Sequence, residues 1–177
     1  MGTLSLEQMI TFLLDTPMFG DLDASELSQI VHVMQVRTLP AGAQVFREGE
    51  PGDAWYVVFD GEVEVLKAGR GGSDRRVTTL GPRACFGEMA ILDGSPRSAT
   101  VRTTRPTTAF RFPRMEFNGL LSAGTLAAYK LVYQIALVLV ARQRSTTRSL
   151  VELMAEDDAT LVRQGLAPLV EQSAVTE

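Results

Sequence analysis

The stretch best suited to chemistry is Phe86-Gly-Glu-Met-Ala-Ile-Leu-Asp-Gly-Ser-Pro-Arg-Ser-Ala-Thr-Val101. Gly87 permits a close backbone approach or an unusual φ. Glu88-Met-Ala-Ile-Leu92 suits one short helical turn. The first N–H groups of such a turn, around Gly87, Met89 and Ala90, have no intrahelical acceptor and favour an anion. Asp93-Gly-Ser-Pro96 reverses the chain, and Arg97 then stands opposite the helix start, where a strand begins. One arginine, several amides and the Ser98 hydroxyl would hold a singly charged phosphodiester. Glu88 is a poor neighbour for phosphate and a good acceptor for a sugar hydroxyl. The set points to a sugar-phosphate ligand. A buried Glu88–Arg97 pair would use the same residues, so the types alone leave both readings open.

Other chemistries find little material. His32 is the only histidine and Cys85 the only cysteine. A Ser-His-Asp set would depend on that one histidine, and a metal-dependent jelly-roll enzyme would need two or three such ligands. A haem sensor would need a well-placed axial His or Cys, for which His32 and Cys85 are poor candidates. His32 reads as a structural or surface residue, Cys85 as a small core residue. The expectation is a protein that is not an enzyme, with no metal and no cofactor.

The elements that must position the stretch follow from periodicity. Leu6, Met9, Ile10, Leu13 and Leu14 recur at helical spacing, and Pro17 and Gly20 break the pattern. Asp23 and Glu26 form a capping box for a second helix carrying Leu27, Ile30, Val31 and Met34. From Arg37 the period changes to two. Strands are expected at Gln44–Arg47, Trp55–Phe59, Glu62–Lys67, Arg76–Leu80, Ser98–Thr103 and Thr107–Phe112. Asp60-Gly61 predicts a tight hairpin, and the alternation at Trp55-Tyr56 predicts that one of the two is buried. Short strands at regular spacing imply a sandwich, barrel or jelly roll.

A long helix is expected from near Leu126 to Met154, with no proline inside it. Leu131–Val140 is apolar nearly all round, so two sides should be covered. The strand domain can cover one side, and a second copy of the helix the other. Ile135, Leu139, Arg142, Thr146, Ser149 and Leu153 follow the 4-3 spacing of a coiled-coil seam. A homodimer is therefore expected. Thr160–Val170 reads as a short amphipathic piece.

Phe86 to Val101 resembles the phosphate-binding cassette of cyclic nucleotide-binding domains, as found in catabolite activator proteins, regulatory subunits of cyclic-AMP-dependent kinase and cyclic-nucleotide-gated channels. Gly49-Glu-Pro-Gly-Asp53, Trp55-Tyr-Val-Val and Gly61-Glu-Val-Glu-Val65 resemble the family's early strands. The resemblance covers roughly residues 10–153. It implies an α+β fold: a β-jelly-roll, or double-stranded β-helix, flanked by N-terminal helices and a long C-terminal helix. It divides the chain into a helical segment 1–36, a β-roll 37–114 with the cassette at 86–101, helices 115–156 with the dimerisation helix, and a tail 157–177.

The resemblance also implies roles. Arg97 would pair with the exocyclic phosphate oxygens, and Glu88 would accept from the ribose 2′-hydroxyl. Amides near Gly87, Met89, Ala90 and Ser98 would complete the cradle. The ligand would be cyclic AMP, or cyclic GMP, since Ser98 does not settle the base. Hydroxyls on the long helix read the adenine in bacterial relatives, and Thr146 and Thr147 stand where those are expected. The implied function is a sensor that passes ligand binding through its C-terminal helix to an unknown downstream protein. A ligand-independent interaction or dimerisation module is the alternative.

Charge sharpens the picture. The net charge is −4, yet residues 70–114 hold nine arginines against three acids, while residues 1–69 hold 11 acids against three basic residues. Residues 150–177 carry six acids and one arginine, unlike a module that must neutralise DNA phosphates. A stand-alone sensor without a DNA-binding domain is expected. The lone cysteine, the acidic start and the eleven-residue apolar run Leu131–Ala141 predict a cytoplasmic protein without a membrane span.

Overall fold

The computed structural model describes residues 4–69 and 73–173, with side chains as far as Met154, Leu153 excepted. These residues fall into two compact units, Met1–Ile135 and Ala136–Glu177. Helix α1 (Leu6–Leu14) starts at Ser5, whose hydroxyl accepts from Gln8 N while the Gln8 side chain accepts from Ser5 N. A 3-10 turn follows at Pro17–Phe19. Helix α2 (Ala24–Val31) begins at the expected capping box: Glu26 N donates to Asp23 Oδ1 at 2.8 Å, and Asp23 N to Glu26 Oε2 at 3.0 Å.

Eight strands follow: β1 (Gln35–Leu39), β2 (Gln44–Phe46), β3 (Ala54–Asp60), β4 (Val63–Ala68), β5 (Asp74–Leu80), β6 (Cys85–Phe86), β7 (Thr100–Thr103) and β8 (Thr107–Pro113). They form two antiparallel four-stranded sheets, ordered β1-β8-β3-β6 and β2-β7-β4-β5. This is the β-jelly-roll that the strand spacing and the resemblance predict. Helices α3 (Met89–Leu92), α4 (Arg114–Ser122) and α5 (Leu126–Ser173) complete the chain.

Asp60-Gly61 does not make a hairpin. β3 pairs with β6 and β8, whereas β4 pairs with β5 and β7 in the other sheet, so the turn is a corner between sheets. Gly61 has φ +102°, and a Cβ there would lie 2.5 Å from Thr107 Cα. Glycine is required by this close approach as well as by the turn. Thr107 Oγ1 accepts from Glu62 N and closes the corner.

Trp55 and Tyr56 are both buried, because β3 is covered on both faces. Ala54, Tyr56 and Val58 face the roll interior with Phe46, Val63, Phe86, Val101 and Ala109. Trp55 faces the helical side, stacked on Phe112 at 4.1 Å and close to Phe19 and Phe117. Alternation on a strand exposes one face only when that face meets water.

Helix α5 starts at the expected Leu126 and continues past Met154 to Ser173. No glycine or proline interrupts it before Gly165, and Ala-Glu-Asp-Asp is compatible with helix. The amphipathic reading of Thr160–Val170 lies outside the described side chains. Ala127, Ala128, Leu131 and Ile135 are fully buried in the first unit, and Lys130 pairs with Glu26 of α2. Ile135 therefore packs within the monomer and cannot belong to a dimer seam. In the second unit every described side chain except Val138 and Leu139 is exposed, and among them Leu137, Val140, Arg144, Thr147, Val151 and Met154 also follow a 4-3 spacing. Among the described residues no single helix is long and apolar enough to cross a membrane.

Candidate functional site

The cassette is built where β6 meets β3. Phe86 pairs with Tyr56 across the ladder, and their rings stack with centroids 5.1 Å apart. Gly87 then turns the chain at φ +79°. A Cβ at this position would lie 2.8 Å from Arg97 Nη1, so glycine makes room for the guanidinium. Glu88 is buried and precedes the short α3. Ala90 packs on Gly52 so closely that a Cβ on Gly52 would lie 2.3 Å from the Ala90 Cβ. Met89 is half-exposed, with its sulfur 3.8 Å from the Ser98 hydroxyl.

Arg97 stands at the centre. Its backbone is clamped to the β2–β3 loop: Arg97 N donates to Glu50 O at 2.8 Å, and Gly49 N to Arg97 O at 2.9 Å. Its side chain is 1 % exposed. Nη1 donates to Gly87 O at 2.9 Å, and Nη2 to Ala54 O at 2.7 Å and Asp53 Oδ1 at 3.0 Å. The guanidinium lies 4.0 Å from the centre of the Phe46 ring. Nε is buried and has no hydrogen-bond partner. A buried donor left unmade is costly, and its presence beside a cassette turn is a signal for an acceptor.

The carboxylate opposite Arg97 is Asp53, which Arg111 on β8 shares. Arg111 Nη2 donates to Asp53 Oδ2 at 2.7 Å, and Nη1 to Gln35 Oε1 at 3.0 Å. Desolvation pushes the Asp53 carboxyl up, but the hydrogen bond and charge of Arg111, with the charge of Arg97, hold it below the ordinary carboxylate range. Lys67 Nζ donates to Ser98 O at 2.8 Å and pairs with Glu48, pinning the far end of the cassette to β4.

The structure thus joins Gly87 to Arg97 and Met89 to Ser98, with Glu88 and Ala90 at the start of the short α3 between them. The carboxylate seen bonded to Arg97 is that of Asp53. Thr146 and Thr147 belong to the second unit, where Thr146 Oγ1 donates to Arg142 O one turn back in the helix. Asp53, Arg111 and Lys67 were not among the residues expected at the site. Asp53 closes the Gly49–Asp53 motif, and a carboxylate beside a lone cassette arginine was the available signal. Arg111 and Lys67 carry no such signal, because alternating charges on strands usually mark a solvated face.

Residues 36–123 match the family described as the cyclic nucleotide-binding domain. The chain is 31 % identical over 163 residues to the cyclic AMP receptor protein of Thermus thermophilus, spanning 87 % of this chain and 73 % of that protein. It is 38 % identical over 107 residues to a cyclic nucleotide-gated potassium channel of Mesorhizobium japonicum, spanning 60 % of this chain but only 28 % of the channel. The crystal structure of a cyclic nucleotide-binding domain from Methylobacillus flagellatus superposes with a TM-score of 0.74 at 27 % identity, over 82 % of this chain and 84 % of that one.

Proposed function

The chain belongs to the cyclic nucleotide-binding domain family, and from that premise we propose that its cassette binds a cyclic mononucleotide, cyclic AMP first. The observation that carries the reading is the buried Arg97 guanidinium with an orphaned Nε, bonded to Gly87 O at the start of the cassette. A phosphodiester oxygen satisfies that donor, and the first-turn amides of α3 supply further ones. Glu88, beside the same turn, accepts from the ribose 2′-hydroxyl. Every one of these steps is binding and none breaks a bond, so the domain acts as a sensor and not as an enzyme. The Thermus relative, a cyclic AMP receptor protein, supports adenine over guanine.

The response is carried by α5. Its open stripe of Leu137, Val140, Val151 and Met154, between 45 and 61 % exposed, suits a second copy of the helix. The homodimer is accordingly built on that stripe and not on the Ile135–Leu153 register. Thr146 and Thr147 cap the base from this helix, and the ordered helix presents a surface to a downstream protein. Isothermal titration of the purified chain with cyclic AMP, cyclic GMP and cyclic di-GMP tests the reading. Micromolar or tighter binding of a cyclic mononucleotide is expected. Silence toward all three would leave a ligand-independent dimerisation module as the function.

A further inference from the structure

We propose that Arg111 is a positioning residue for the nucleotide phosphate, balancing the charge of Asp53 so that Arg97 keeps its own for the ligand. The proposal rests on the reading of the cassette as a nucleotide site. Its starting point is a count of charges. Arg97 and Asp53 alone make a neutral pair at 3.0 Å, and a neutral pair has little attraction for a phosphodiester. Arg111, 2.7 Å from the other carboxylate oxygen, brings these three groups to a net charge of plus one. That positive charge is available to a cyclic phosphate, while the Glu88 carboxylate in the same cassette is assigned to the ribose hydroxyl.

Geometry fits the same assignment. Asp53 uses one oxygen for each guanidinium, Oδ1 for Arg97 and Oδ2 for Arg111, so the two arginines do not compete for one lone pair. Arg111 is held from the other side by Gln35 Oε1 on β1, and its side chain is 16 % exposed against 65 % for Asp53. The fixed member of the pair is therefore the arginine, and it holds the more exposed carboxylate in place. Asp53 in turn orients Arg97 Nη2, and Nε is the donor left without a partner. The Arg114 backbone N–H donates to Asp53 O at 2.8 Å and fixes the main chain beneath. Without Arg111, Asp53 would draw the whole charge of Arg97 to itself.

A double-substitution cycle on the full chain tests this, with cyclic AMP as the probe, titration calorimetry as the readout and Trp55 fluorescence melts to verify folding. R111Q is expected to weaken binding about tenfold while Asp53 is intact, and less than twofold in a D53N background, where no carboxylate needs balancing. R111K, which keeps the charge, should stay within threefold of wild type. Should R111Q melt below the assay temperature, R111M keeps the apolar stem and takes its place in both backgrounds. Equal losses in both backgrounds, or binding by R111Q within twofold of wild type, would overturn the inference and leave the nucleotide site standing. Wild type that binds no cyclic nucleotide overturns the reading of the cassette itself.

Discussion

The cassette and the second helical unit hold their polar side chains by opposite means. In the cassette, bonds cross the fold: Arg97 reaches Asp53 and Ala54, more than forty positions away, and Lys67 reaches Ser98. In the second unit the one described side-chain bond of a threonine, Thr146 to Arg142 O, stays within a single turn of its own helix. Cross-fold bonds restrain a conformation from several elements at once. A helix held by its own ladder and an open apolar stripe depends on what packs against it. On the proposed reading the phosphate end is the fixed part and the helix end the part that responds, which is the division a sensor needs.

Removing the centre of the cassette should have the largest effect. Arg97→Ala deletes every cross-fold bond of that guanidinium, and the loss of a charge-assisted contact to a desolvated phosphate costs about 2–5 kcal/mol, or roughly 30- to 5000-fold in affinity. Calorimetry should show that loss in a chain that still melts cooperatively. An affinity within threefold of wild type would mean that Arg97 is only a structural pin. Gly52→Val should come next. Its side chain would enter the space of Ala90, lifting the cassette helix off the β2–β3 loop, and binding should fall at least tenfold at unchanged charge.

The same contrast explains what could be read in the sequence. The cassette residues are consecutive and their types are chemically unusual together, so Gly87, Glu88, Arg97 and Ser98 could be singled out from one segment. Strand spacing narrowed the fold to a sandwich, barrel or jelly roll, the resemblance implied the last of these, and the α2 cap followed from Asp23 and Glu26. Arg111 could not be found that way, because its importance lies in a contact with Asp53, 58 positions distant. The Asp60-Gly61 corner looked like a hairpin because both use glycine at positive φ, and only long-range pairing decides which sheet the next strand joins. Ile135 is a case of the same kind. Leu131–Val140 is apolar on most sides, and only the packing of Ile135 against the first unit reveals which side is spent.

On the helix side the proposed seam can be broken directly. Val140→Asp places a charge in the middle of the open stripe, and a coiled-coil contact of this length should not survive it. Light scattering at micromolar concentration should give the dimer for wild type and a 19.3 kDa chain for the variant. Phosphate binding should weaken no more than threefold, since the cassette bonds are untouched. Amide exchange along 142–154 should slow on adding cyclic AMP in wild type and not in the variant. Protection confined to 86–101 in wild type would separate binding from the response of the helix.

The smallest effect expected is that of pH on the Asp53 cluster. Its carboxyl lies below its ordinary value of 3.8 in the folded chain, so the folded state binds the proton less readily than the unfolded one. The stabilisation is fully present above pH 3.8 and is lost as the pH falls through the lower folded value. Because Asp53 is largely exposed, solvent screening keeps the contribution below about 1 kcal/mol. Asp53→Asn should therefore lower stability slightly at pH 7, and the two proteins should converge as the pH is taken well below the aspartate range. Urea melts followed by the single tryptophan, buried against Phe112, measure both arms in one experiment. A difference that persists unchanged at low pH would show that Asp53 acts by shape and not by charge. The cassette would then owe its pre-organisation to Gly87, Gly52 and the backbone clamp of Glu50 alone.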